Sequence, residues 1–360
     1  MSEFNNGTSK HHDVPALPTG WTSAAPEPGD VEDLVRLLRR HEREARGFPG
    51  ADSENVAAEV TGRGAQTRTH LILRDQAGVA RGWVNCHDRA SRRVLVGVTI
   101  DPDLTSEVAD AVAHHCLAVA EGFAVQIMAE RSVSVSHMDS GAFEADERQQ
   151  RWLTEAGFML VRHWWQMSRP VTPQERTSLP EPRQGVTITR VRRDDTGMPH
   201  EQDLRDIHQV LEDSFADHFN SYREPFEDFV ERLREDPGHR WDHWWLASVD
   251  GSPAGALVAS TTTGHLDSNG QPRPDGSYVE YIGVSAAARG RGVAKGLMYA
   301  VIADAAARGR DRVGLEVDAD SPTKADQMYT SMGWQTAYVT QSWHKKLGVN
   351  EEMAAEGQVS

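Results

Sequence analysis

The stretch that decides the fold is residues 278–294, YVEYIGVSAAARGRGVA. Its first seven residues alternate as in a β-strand, so their side chains are expected on opposite faces: Val279, Tyr281 and Gly283 on one, and Tyr278, Glu280, Ile282 and Val284 on the other. After a loop that holds two glycines comes an apolar run, LMYAVIADAAA, typical of a helix. The sequence therefore predicts a strand that passes through a glycine loop into a helix.

A loop of this kind suits a phosphate group. The first backbone N–H groups of a helix have no partner within the helix, and the helix dipole adds positive charge at the same end. Gly290 and Gly292 allow a ligand to approach the backbone closely, and Arg289 and Arg291 add charge. Glycine spacing alone is weak evidence, because a tight turn into any helix can share it.

The residues around these glycines resemble the loop of the GNAT superfamily of acetyl-CoA-dependent N-acetyltransferases. That loop has Gln or Arg, then Gly three positions later, then Gly or Ala two positions after it, as do Arg289, Gly292 and Ala294. The resemblance implies that acetyl-CoA is the co-substrate, with its pantetheine along the strand and its pyrophosphate on the loop. The residues expected to contact it are Ile282, Gly283, Val284, Arg289, Gly290, Arg291, Gly292, Val293, Ala294 and Lys295.

The composition predicts two domains in a reducing compartment. The 360 residues exceed the size at which one hydrophobic core usually keeps growing. Only two cysteines occur, Cys86 and Cys116, and the N-terminal residues lack the apolar core of a signal peptide. We expect no apolar run long enough to span a membrane, and therefore a cytoplasmic protein.

The charge of the chain narrows the choice of partners. A net charge of −16, from 54 acidic and 38 basic residues, argues against binding to nucleic acid or to anionic membranes and favours a cationic small-molecule acceptor. The same negative charge opposes the binding of anionic coenzyme A. Local basic residues would have to offset this repulsion. His114, His115 and His163 have no partners at the spacing of a metal site, so no metal is predicted.

The two halves of the chain show the same order of strand and helix signals, and we predict a tandem repeat. Both end alike, in LTEAGF at 153–158 and YTSMGW at 329–334. We expect an α/β (α+β) fold of two GNAT-like domains, each a mixed, mostly antiparallel sheet flanked by helices. The predicted parts are a tail at 1–18, a degenerate domain at 19–169, a Pro-rich linker at 170–185, a catalytic domain at 186–347 and a tail at 348–360.

The first half lacks the functional elements of the second. Its long strand, VLVGVTI, holds no acid, and the segment after it, DPDLTSEVADAVAHH, has acids but no Gly, Arg or Lys where phosphates would bind. Leu153 stands where the second half has Tyr329. We therefore expect the first half to be non-catalytic and to shape the neighbouring active site.

Glu280 is the candidate general base. It is the only carboxylate in the strand before the loop, and burial beside Tyr278, Ile282 and Val284 would raise the pKa of its carboxyl and make the carboxylate a better base. In the GNAT family the base often comes from this strand, at the position of Glu280 or at that of Tyr278. The alternative is an ordinary, half-exposed strand carboxylate.

Tyr329 is the candidate general acid. It lies four residues before Gly333, on a helix for which Ser321 is the predicted N-cap and Pro322 the first residue. Family members commonly carry a tyrosine with this spacing, which protonates the coenzyme A thiolate. A tyrosine on an amphipathic helix is otherwise more often a packing residue.

The acceptor is predicted to be a primary amine, and its binding residues are weakly marked. Phe215, His218 and Tyr222 lie between the first two helices of the second half, where family members often bind the acceptor, and Tyr278 is a fourth candidate. The tandem organisation is also similar to that of mycothiol synthases, which acetylate the cysteinyl amine of a sugar-linked precursor. A non-catalytic protein that binds acetyl-CoA is the other alternative. The sequence does not predict an oligomeric state.

Overall fold

The computed structural model describes residues 14–62, 64–89, 93–216, 224–234, 239–265, 271–320 and 325–348. The strands are β1 (Thr22–Ala24), β2 (Arg68–Arg74), β3 (Ala80–Arg89), β4 (Arg93–Ile100), β5 (Val135–Phe143), β6 (Met159–Pro170), β7 (Val186–Arg190), β8 (His239–Val249), β9 (Ser252–Thr262), β10 (Gly276–Val284), β11 (Arg312–Asp318) and β12 (Gln335–Gly348). The helices are α1 (Val31–Arg46), α2 (Ser53–Val60), α3 (Gly64–Thr67), α4 (Ser106–Glu130), α5 (Glu147–Glu155), α6 (Glu175–Ser178), α7 (Glu201–Phe215), α8 (Phe226–Arg234), α9 (Val293–Ala307) and α10 (Ala325–Ser331).

All these strands join one sheet, in the order β1-β2-β3-β4-β5-β12-β6-β11-β10-β9-β8-β7. Two pairs are parallel, β4 with β5 and β10 with β11, and the other pairs are antiparallel. Helices cover the sheet and bury its apolar side chains in four clusters. The predicted mixed, mostly antiparallel sheet flanked by helices is confirmed.

The two halves of the chain exchange their last strands. Strand β6, from the first half, pairs with β11 and β12 of the second half. Strand β12 in turn pairs with β5 of the first half. Each half therefore completes the sheet of the other, and backbone hydrogen bonds run without a break across the predicted domain boundary.

The Pro-rich segment at 170–185 is more ordered than its composition suggested. It contains α6, and Arg169 at the end of β6 forms an ion pair with Glu175 on that helix. The backbone N–H of Val171 donates to the carbonyl of Asp311 at 2.8 Å, and Leu179 packs against the apolar cluster beneath α9. The segment follows the surface of the second half.

A β-bulge interrupts the alternation predicted for residues 278–284. β10 pairs with β9 on both sides of Glu280, and the register shifts by one residue there. As a result Val279 and Ile282 pack in the same cluster beneath α9, whereas Tyr281 packs in the cluster formed with α7 and α8. The predicted placement of Val279 and Tyr281 on one face is wrong, because the extra residue breaks the period of two.

Helix α4 corrects the expectation that no apolar run is long enough to span a membrane. The helix runs from Ser106 to Glu130, and its length and hydropathy alone would suit a membrane span. One face of it, however, is buried against β3 and β4 through residues that include Val112, Cys116 and Ala120. In this structure α4 is a core helix of the first half.

Candidate functional site

A cavity of about 1320 Å³ opens where β10 and β11 separate. The two strands pair only through three residues each, the last pair being Val279 with Leu315. Beyond this pair their side chains and backbones line the cavity, together with α7, α10 and the loop that precedes α9. A gap between two strands of one sheet leaves backbone N–H and C=O groups available to a ligand.

The glycine loop lies at one end of this cavity. Gly292 precedes α9 with φ +87°, and Gly290 has φ +78°, both in the left-handed region that favours glycine. The first turn of α9 therefore presents its N–H groups to the cavity. The predicted cofactor residues that line the cavity are Ile282, Gly283, Val284, Arg289, Gly290, Gly292, Val293, Ala294 and Lys295.

Arg291 differs from the expectation for the loop. Its guanidinium lies 3.3 Å from the carboxylate of Asp250, outside the cavity, and its backbone N–H donates to the carbonyl of Ala288. Both groups thus have partners within the protein. The alternation of Arg and Gly in the sequence suggested equivalent roles for Arg289 and Arg291, but the tight turn points the two side chains in different directions.

Arg183 takes the position expected of Arg291. Its Nη1 donates to the carbonyl of Gly290 at 3.2 Å, and its side chain crosses Gly292 so closely that a Cβ there would lie 2.8 Å from Cδ. Arg183 also lines the cavity. It lies in the segment predicted as a linker, and no pattern in that segment indicated that it returns to the loop.

Glu280 lines the cavity at the bulge of β10 and is exposed to it. Its Oε1 accepts a 2.6 Å hydrogen bond from the hydroxyl of Ser260 on β9. The expected burial of Glu280 beside Ile282 and Val284 is wrong, because the bulge directs its carboxylate to the opposite face. A proton acceptor that opens to the cavity can reach an amine there directly or through water.

Tyr329 lies on α10, 6% exposed, and lines the cavity near the end of β11. Its ring packs against that of Trp334, with centroids 6.1 Å apart. Burial raises the pKa of the hydroxyl to about 12, so Tyr329 carries its proton throughout the neutral range. Ser321 and Pro322, predicted to begin this helix, lie outside the described residues.

Of the predicted acceptor residues, Phe215 and Tyr278 line the cavity. The Tyr278 hydroxyl donates to Oε1 of Gln166 at 3.2 Å, and burial raises the pKa of Tyr278 far above its ordinary value. His218 and Tyr222 lie outside the described residues.

The first half of the chain contributes residues to this cavity that the sequence did not indicate. Arg89 from β3 and Trp164 from β6 both line it. Trp164 is held by a 2.8 Å hydrogen bond from its indole N–H to the hydroxyl of Ser342 on β12. Trp164 reaches the cavity because β6 pairs with strands of the second half.

The first half differs from the second at the positions that correspond to the site. Leu153, at the position of Tyr329, is 1% exposed and belongs to the apolar core. A cavity of about 390 Å³ between β4 and β5 is lined by Arg93, Asp139 and His344, which pair with one another.

Within the described part of the chain, no group of three His, Cys, Asp or Glu side chains could hold a metal ion.

Comparison with known proteins agrees with this geometry. The sequence model of the acetyltransferase (GNAT) family matches residues 204–334, a span that includes the loop, Glu280 and Tyr329. Residues 204–334 form a GNAT acetyltransferase domain. The comparisons thus support an enzyme of the N-acetyltransferase class, and no curated protein sequence matches the chain.

Solved structures extend the likeness to both halves. A GCN5-related N-acetyltransferase from Sphaerobacter thermophilus has a TM-score of 0.68 at 19% identity, over 93% of this chain and 98% of that one. A tandem GNAT protein from the clavulanic acid biosynthesis pathway has a TM-score of 0.66 at 11% identity, over 92% and 100%. The N-myristoyltransferase of Saccharomyces cerevisiae has a TM-score of 0.58 at 11% identity, over 94% and 86%. At these identities the likeness shows a tandem GNAT fold.

Proposed function

We propose that the protein transfers the acetyl group of acetyl-CoA to a primary amine, and that the chemistry takes place in the second half of the chain. The observation that carries the proposal is that the glycine loop, Glu280 and Tyr329 all line one cavity. They come from the loop before α9, from β10 and from α10. A cavity of about 1320 Å³ exceeds what a small amine alone needs and suits a long co-substrate together with an acceptor.

The residues at the loop fit a pyrophosphate. Gly292 in the left-handed conformation lets the chain turn into α9, and the first turn of that helix offers backbone N–H donors. Arg289, Lys295 and Arg183 line the same end of the cavity and offset the acidity of the protein. Acetyl-CoA, when bound there, would supply an activated acetyl group on a thioester.

Two side chains of this site can move the protons of the reaction. Glu280, held at Oε1 by Ser260, can take a proton from the acceptor ammonium and leave a nucleophilic amine. Tyr329 keeps its hydroxyl proton at neutral pH and can donate it to the sulfur that leaves. The backbone of residues 282–284, beyond the last pair of β10 with β11, can hold the acetyl carbonyl.

We assign the first half, residues 19–169, a supporting role and the second half, 186–347, the catalytic one, with 170–185 connecting them. Trp164 and Arg89 in the cavity wall support this role. Leu153 in place of a tyrosine and the absence of glycine and of basic residues after β4 disfavour a second acetyl-CoA site. A cytoplasmic location remains part of the proposal.

The proposal is tested by release of coenzyme A from acetyl-CoA in the presence of a panel of amines, with product identified by mass spectrometry. We expect amine-dependent release, and calorimetry should give one acetyl-CoA per chain. Two equivalent binding sites would contradict the supporting role of the first half. Binding of acetyl-CoA without turnover of any amine would favour the non-catalytic alternative.

A further inference from the structure

Two carboxylates stand at the point where β10 and β11 separate. The strands pair as far as Val279 and Leu315, and the next residue on each is a glutamate, Glu280 and Glu316. Both side chains line the cavity. Because paired strands lie about 4.8 Å apart, the two carboxylates begin from neighbouring backbone positions.

Glu316 is held by a residue from the exchanged strand β6. The side-chain N–H₂ group of Gln166 donates to Oε2 of Glu316 and, at 3.0 Å, to the hydroxyl of Thr340. Oε1 of Gln166 accepts the hydrogen bond from Tyr278. With its polar atoms thus used, buried Gln166 has one orientation of its amide, and Glu316 is fixed toward the cavity before any ligand binds.

The surroundings of Glu316 affect the pKa of its carboxyl. Burial raises the pKa of its carboxyl, the Gln166 hydrogen bond lowers it, and the nearby Asp318 raises it again. An ammonium group within hydrogen-bond distance would lower this pKa, since an opposite charge favours the ionised carboxylate.

The arginines on this side of the cavity have other partners. Arg232 pairs with Glu224 at 2.7 Å and donates to the hydroxyl of Tyr281. Arg89 interacts electrostatically with that same tyrosine. Among the described residues, no basic side chain forms an ion pair with Glu316, so a positive charge on a ligand could take that place.

Building on the proposed function, we propose that the acceptor carries at least two amino groups and that Glu316 binds the ammonium that is not acetylated. Glu280 faces the reacting nitrogen, and Glu316 positions the molecule through the second one. Diamines, polyamines and sugars with two or more amino groups belong to this class. Glu316 forms and breaks no covalent bond and takes no proton in the reaction.

The test compares matched acceptors with wild-type protein and with Glu316→Gln. The acceptors are α,ω-diaminoalkanes of three to six carbons, spermidine and a diamino sugar, each set against a mono-amine of similar size. We expect kcat/KM for the preferred diamine to exceed that of its mono-amine by about 10- to 100-fold, the effect of one charge-assisted hydrogen bond. Glu316→Gln should remove this preference through KM, so that the diamine and its mono-amine give similar kcat/KM.

Glu227→Gln is the matched control. Glu227 is exposed on α8 and does not line the cavity, so the variant has the same loss of charge but should keep the preference for diamines. An unchanged melting temperature of Glu316→Gln will show that the variant folds.

The possible failures are distinguishable. A preference for mono-amines, or equal loss of kcat for both acceptor types in Glu316→Gln, overturns the inference and leaves the acetyltransferase proposal standing. The second result would mean that Glu316 acts on the reacting nitrogen. If acetyl-CoA does not bind, or if no amine of either type is acetylated, the proposed function fails and the inference fails with it.

Discussion

The hydroxyl of Ser260 donates a 2.6 Å hydrogen bond to Glu280 across β9 and β10, at the bulge. Ser260 is 4% exposed, whereas Glu280 opens to the cavity, so a buried side chain orients an accessible carboxylate. We expect Glu280→Gln to lower kcat by roughly 10²- to 10⁴-fold, because an amide cannot accept the proton of the acceptor. Coenzyme A release measured from pH 5 to 9 should lose its acidic limb in this variant.

Ser260→Ala is the matched variant for orientation. It leaves the carboxylate in place and removes one hydrogen bond, worth about 1 kcal/mol, so a loss of about fivefold in kcat is expected. A wild-type rate and pH profile in Glu280→Gln would assign the proton transfer to solvent or to another residue.

Tyr329→Phe should lower kcat and leave the Kd of acetyl-CoA nearly unchanged. In the proposed mechanism the hydroxyl acts on the departing sulfur and not on the bound ground state, and the ring of the variant would keep its contact with Trp334. Because burial raises the pKa of Tyr329 to about 12, the wild-type rate should show no alkaline loss from this residue below about pH 11. Calorimetry and stopped-flow kinetics would check both points, and an equal loss of affinity and of kcat would indicate a packing role.

Arg183→Ala and Arg291→Ala form a pair that tests the cofactor site. Arg183 lies over Gly292 in the cavity, and Arg291 pairs with Asp250 outside it. Loss of one charge-assisted contact costs about 1.5–3 kcal/mol, so Arg183→Ala should raise the Kd of acetyl-CoA by about 10- to 100-fold. Arg291→Ala should change it by less than about threefold. The reverse order would show that the loop rearranges when it binds the pyrophosphate.

His239 should make stability depend on pH. It is 7% exposed, its Nε2 accepts a 3.0 Å hydrogen bond from the indole N–H of Trp244, and burial lowers its pKa from 6.5 to about 4. The folded state therefore keeps His239 neutral while the unfolded chain takes up a proton. The stability that neutral His239 contributes to the folded state is complete above about pH 6.5 and is lost as the pH falls toward about 4.

Between pH 7 and pH 5 this one group should cost about 2 kcal/mol of unfolding free energy. Urea unfolding of wild type and of His239→Gln at the two pH values would measure the difference, because other buried histidines, such as His87, contribute to both proteins. Identical pH dependence in the two proteins would show that His239 titrates normally.

The exchange of strands predicts that the second half does not fold alone. In a fragment of residues 186–347, β11 would lose its antiparallel partner β6, and β12 would lose both neighbours. Unpaired strand groups are costly to bury and promote aggregation when exposed. We expect no cooperative unfolding transition from this fragment by circular dichroism, and recovery of one when residues 1–185 are co-expressed. A stable, acetyl-CoA-binding fragment would contradict this.

Several features of the site could be predicted because neighbouring residues encode them. The position of Gly292 determines where the chain turns into α9, and the spacing of Tyr329 from Gly333 places the tyrosine on the last turn of α10. Each depends on conformational preferences within a few residues.

The tertiary structure alone decided which side chains meet in the cavity. The hydrogen-bonded group of Gln166, Tyr278 and Glu316 spans 150 positions of sequence, and Arg183 reaches Gly290 across 107. The direction of Glu280 depends on a bulge, which local periodicity does not reveal. The sequence by itself determined the strand, loop and helix order of a GNAT domain, because these elements follow from local backbone preferences and periodicity. The shared acceptor cavity required the exchange of β6 and β12, because it depends on pairing between strands far apart in the chain.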